Sequence, residues 1–69
     1  MKTEIRYTDG RVEAVKSVQV AEEILEGNVI AEDWNTWGYD GRRKLVWASD
    51  QDADGDDGAN AMAEIVQRP

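Results

Sequence analysis

Residues 2–16 alternate apolar and polar positions around Asp9-Gly10, a dipeptide suited to the two φ > 0 positions of a type I′ hairpin turn. A two-residue turn there sets Tyr7 opposite Val12 and Ile5 opposite Ala14 on one face, with Arg6 opposite Glu13 on the other. After Lys16 the period changes. Ser17 is a helix N-cap, Val18, Ala21, Ile24 and Leu25 form an apolar stripe, Glu22, Glu23 and Glu26 lie outside it, and Gly27 ends the run. The runs VIAEDW and KLVWAS predict a second hairpin over residues 28–49. A tight turn at Asp40-Gly41 puts Trp34 opposite Trp47 and Thr36 opposite Leu45; a wider loop fits the glycines equally well. Over residues 57–67 helical spacing returns in Ala59, Met62, Ile65 and Val66, with Asp57 available as cap.

These elements predict two consecutive ββα units, residues 2–27 and 28–69, within one domain spanning 1–69. The short likeness of Tyr7-Thr8-Asp9-Gly10-Arg11 to Tyr39-Asp40-Gly41-Arg42 fits that repeat, although Asp-Gly is what such turns want in any case. A four-stranded antiparallel sheet of two hairpins, with both helices on one face, would bury both stripes as a two-layer α+β domain, ββαββα. A chain of 69 residues buries only roughly 60% of its unfolded surface, so it has material for one core. It has no cysteine and no histidine, which removes disulfides and the usual zinc and haem ligands. No apolar run approaches the roughly 20 residues that span a bilayer, and MKTEIRYTDG lacks the apolar core of a signal peptide. The expectation is a soluble, cytoplasmic protein with no membrane role.

Charge narrows the partners. The formal net charge is -7 and the pI about 4.3, a field that repels phosphate backbones and anionic lipid and favours a basic protein. Residues 17–41 carry Glu22, Glu23, Glu26, Glu32, Asp33 and Asp40 without a Lys or Arg, and residues 45–67 carry Asp50, Asp52, Asp54, Asp56, Asp57 and Glu64, again without one.

The stretch SDQDADGDDG admits three readings. As an EF-hand calcium loop started at Asp50 it supplies Asp50, Asp52, Asp54 and Gly55 at positions 1, 3, 5 and 6, but Ala61 falls where a bidentate Glu belongs. Started at Asp52, it has Asp56 at position 5, Asp57 in place of the glycine and Ala63 at the end. Asp50, Asp52, Asp54 and Asp56 are therefore an incomplete calcium set. As a helix lead-in, the stretch uses Asp56 and Asp57 at a helix N-terminus. As a recognition surface, it joins Glu22, Glu23 and Glu26 in an acidic face.

Trp34, Trp37, Tyr39 and Trp47 lie beside Arg42, Arg43 and Lys44, an arrangement that can stack bases on a single strand, although the surrounding charge opposes direct nucleic-acid binding. Core packing accounts for Trp34 and Trp47, and a solvated turn for the basic cluster. Trp37 and Tyr39 are the candidate aromatic anchors for a partner. Catalysis has little material: no imidazole base, no thiol, no phosphate-cradling glycine loop, and no nucleophile elbow at Ser17 or Ser49. No cofactor is implied. The sequence reading is thus a non-catalytic acidic module that binds a basic partner through Glu22, Glu23, Glu26, Asp50, Asp52, Asp54, Asp56, Trp37 and Tyr39. In its sharpest form it is a small inhibitor occupying the nucleic-acid site of a DNA- or RNA-handling protein. In size and charge the chain is similar to phage anti-restriction and anti-CRISPR inhibitors, by composition and without a shared motif. The competing expectation is a weak calcium-binding or purely structural small domain.

Overall fold

The computed structural model describes residues 1–36 and 40–69. Its first hairpin pairs β1 (Lys2–Tyr7) with β2 (Val12–Val15), one residue away from the expected register. Asp9 keeps a negative φ and only Gly10, at φ 97°, is left-handed, so the type I′ turn does not form. Its place is taken by a three-residue loop, Thr8-Asp9-Gly10, in which Gly10 N–H donates to the Tyr7 carbonyl (3.1 Å) and Tyr7 N–H to the Arg11 carbonyl (2.9 Å). The Asp9 carboxylate fixes this geometry by accepting from Arg11 N–H (3.0 Å) and Arg11 Nε (2.8 Å). Because side chains alternate along a strand, the slip turns the β2 side chains over. Ile5 now lies opposite Glu13 and Arg6 opposite Val12, which is 53% exposed, while Val15 joins the core.

Ser17 caps α1 (Val18–Ile24) as its side chain implies, its Oγ accepting from Val20 N–H at 3.2 Å. The chain leaves the helix through Gly27 at φ 92°. The buried stripe is narrower than expected. Ala21 and Leu25 are buried, whereas Ile24, about 100° before Leu25 on the helical wheel, is 47% exposed.

The second hairpin is real but its register differs. β3 (Val29–Ile30) pairs with β4 (Arg42–Trp47) through Val29 opposite Trp47 and Ile30 opposite Val46, so Trp34 does not face Trp47. Ala31 N–H donates to the Leu45 carbonyl (2.8 Å), and Asn35 and Arg43 exchange backbone bonds of 2.7 and 2.8 Å. From Ala31 to Asn35 one side advances by four residues while the other advances by two, so Glu32-Asp33 bulge outward and the connection is wide.

The largest correction concerns residues 57–67, which are not helical. A one-turn helix, α2 (Asp50–Ala53), forms earlier with Ser49 as its cap, and β5 (Ala63–Arg68) follows as a strand. β5 lies between β1 and β4, pairing Ile5 with Ile65 and Leu45 with Glu64, and completes a five-stranded antiparallel sheet of order β2-β1-β5-β4-β3. A central strand buried on both faces reads as a short apolar run, so Ile65 and Val66 mimic a helical stripe. The two ββα units are also not equivalent: the first places its first strand beside β5, the second its second.

The helices lie on opposite faces rather than sharing one. Val46 packs with Ile5, Ala63 and Ile65 under Ala21 and Leu25 of α1. Its neighbours Leu45 and Trp47 point the other way, into a smaller cluster with Ala61 and Ala53 of α2. Burying a side chain such as Ile65 or Val66 contributes roughly 1.5–3 kcal/mol, and this strand supplies both faces.

Candidate functional site

The acidic stretch is built on Ser49. Its extended backbone and its Oγ, which accepts from Asp52 N–H at 3.3 Å, start α2, and Asp54 N–H closes the turn on the Asp50 carbonyl at 2.9 Å. Asp50 and Asp52 sit in this first turn, where unsatisfied N–H groups favour negative charge. Asp50, Asp52, Asp54 and Asp57 are all exposed, and none has an ion pair among the described residues.

Asp56 has a different role from the one the sequence assigns it. Its Oδ2 accepts from the Trp47 indole Nε1 (2.7 Å), from Gly58 N–H (3.0 Å) and from Asn60 N–H (3.1 Å), and Oδ1 accepts from Asn60 Nδ2 (3.3 Å). The indole hydrogen bond, joined by the Asn60 and Gly58 amides, holds its carboxyl below the ordinary 3.8. Asp56 therefore ties the loop onto the buried Trp47, and its oxygens are committed inside the molecule. The calcium frame needs Asp50, Asp52, Asp54 and Asp56 to converge, but the first two are displayed on a helical turn and the last is turned inward. Among the described residues no group of three acidic side chains lies together so as to hold a metal ion.

The α1 carboxylates form a second, separate group. Glu22 approaches Lys44 Nζ at 3.8 Å, while Glu23 and Glu26 are exposed without an ion pair among the described residues. They cover the face opposite α2, so the single acidic face expected from α1 and residues 50–57 is divided between the two sides of the sheet. Trp37 and Tyr39 lie outside the described residues.

Arg42, Arg43 and Lys44 begin a strand rather than tip a turn. Arg42 stacks over Trp34 at 4.2 Å and donates from Nε to Gln67 Oε1 at 2.8 Å; Lys44 lies 5.0 Å from the same ring. Arg43 Nη1 donates to Glu64 Oε2 at 2.8 Å. All three basic groups are thus engaged within the fold. The Trp47–Asp56 tie was missed from sequence, although an Asp followed two residues later by Gly is an Asx-turn signal that pointed to a structured loop.

Searches against protein-family models, curated proteins and solved structures find no match to this chain.

Proposed function

We propose that the protein is a non-catalytic binding module that docks on a basic surface of a partner protein through Asp50, Asp52 and Asp54, with Asp57 beside them. The observation that carries this reading is the display of these exposed carboxylates, without an ion pair among the described residues, on a capped turn whose following loop is tied down by Asp56. Like charges held close together on one short turn repel one another at some cost, and a basic partner removes that cost on binding. In its sharpest form the partner handles nucleic acid and these carboxylates occupy the groove meant for phosphates. Glu23 and Glu26 face away from this surface and steer approach rather than touch the partner.

The test is a low-salt pull-down from lysate comparing three chains: wild type, the triple variant D50N/D52N/D54N, and E23Q/E26Q. The expected result is capture of a basic nucleic-acid-handling protein by wild type and by E23Q/E26Q, displacement of that protein by duplex DNA, and loss in the triple variant. Equal capture by wild type and the triple variant would remove these carboxylates from recognition.

A further inference from the structure

A cleft of about 310 Å³ lies on this face of the sheet where the loop over Leu45 and Trp47 ends at Ala61. Three neighbouring strands build its floor. Arg6 of β1 is paired with Glu64 of β5, and Glu64 with Leu45 of β4, so the three side chains form one row on the same face. Arg43 lies two residues before Leu45 on the same face, and Thr8 and Ala61 complete the rim.

The carboxylates beside the cleft on this face are already paired. Glu4 is held by Arg68 at 3.4 Å, and Glu64 by Arg43 at 2.8 Å, the latter two side chains each only 16% exposed. Arg6 has no carboxylate within ion-pairing distance among the described residues. The Glu13 expected opposite it is carried to the other face by the one-residue slip of the first hairpin. In a chain of net charge -7, the cleft lining therefore has one surplus positive charge, a planar guanidinium, beside the apolar side chains of Leu45 and Ala61.

We infer that the cleft binds a monocarboxylate with a small apolar tail, its carboxylate on Arg6 and its tail on Leu45 and Ala61. A guanidinium matches a carboxylate with two parallel hydrogen bonds. The single surplus charge suits a monoanion, and the Glu64 carboxylate in the same row disfavours a phosphate dianion. This site is independent of the α2 carboxylates and stands whether or not they bind a partner.

The test is an NMR titration of the full chain at constant ionic strength with four probes: isobutyrate, inorganic phosphate, a tripeptide ending in alanine, and the same tripeptide amidated. The expected result is saturable shifts of the Arg6, Leu45 and Ala61 amides with isobutyrate and the free-acid tripeptide. R6Q should weaken them about tenfold or more, and R11Q should leave them unchanged. Tighter binding of the tripeptide than of isobutyrate assigns the site to a chain terminus; equal or weaker binding assigns it to a free small acid. If R6Q lowers the melting temperature, R6K takes its place, keeping the charge but losing the fork, and should show a partial loss. Absence of saturable shifts overturns the inference. So does undiminished binding to the Arg6 variant, equal binding of the amidated peptide, or phosphate binding as well as isobutyrate.

Discussion

At the scale of single residues, Asp56 shows how one carboxylate can organise what surrounds it. Three N–H groups from a buried indole and two loop amides converge on one oxygen, so the charged form is favoured in the folded state. Since the folded-state pKa lies below the ordinary 3.8, the contribution of Asp56 is complete above that value and is lost as pH falls through the folded one. D56N should therefore melt lower than wild type at about pH 7, and the gap between the two should narrow by about pH 3. Thermal melts followed by tryptophan fluorescence read this directly, and a gap that stays constant with pH would mean the charge contributes nothing. Asp9 is also held low, first by the Arg11 backbone N–H, so it shares the acid limb in both proteins and cancels in the difference. The residues that would bear the proposed function were legible as an acidic run. What the sequence hid was that one of the five aspartates points inward, because its partner Trp47 belongs to a strand whose register was not fixed locally.

Among the elements, legibility followed the range of the forces that form them. The first hairpin and α1 were readable because a turn, a cap and a few apolar positions sit within a dozen residues or so of one another. The hairpin register escaped because it depends on whether Asp9 adopts positive φ, which its own bonds to Arg11 decide. Nothing near β5 in sequence announces a strand, since its partners are Lys2–Tyr7 and Arg42–Trp47. The sharpest comparison is between Ile24 and Ile65, both placed on helical stripes by the sequence. Ile65 is fully buried on the central strand and Ile24 is about half exposed. I65A should cost about 2–5 kcal/mol in urea unfolding, and I24A less than about 1 kcal/mol. Similar costs for the two would contradict this difference in burial.

For the molecule as a whole, the governing quantity is the distance between charges. The domain measures 32 × 24 × 23 Å, comparable to the roughly 30 Å screening length at 0.01 M salt, so at that ionic strength every carboxylate feels every other. With net charge -7 the sum is repulsive even though four ion pairs are present among the described residues. Raising salt to 0.15 M shortens the length to about 8 Å and should raise the melting temperature by about 2–4 °C, equivalent to roughly 0.5 kcal/mol. A decrease would show that the ion pairs outweigh the general repulsion. The overall α+β class was legible because the first hairpin, the Ser17-capped helix and the second hairpin each carry local signals. The division of the acidic groups between two faces was not, since it follows from β5 entering the middle of the sheet and leaving each face a helix of its own.

That central position also orders events in time. Until residues 63–68 dock, the β2-β1 pair and the β4-β3 pair share no strand, and each lacks the partner for the inner edge it gives to β5. Neither half can then bury its share of Ile65 or Val66, so a chain with β5 undocked carries both inner edges open. A chain lacking this strand would expose edges suited to pairing with its neighbours, so removal of residues 63–68 should favour aggregation over folding.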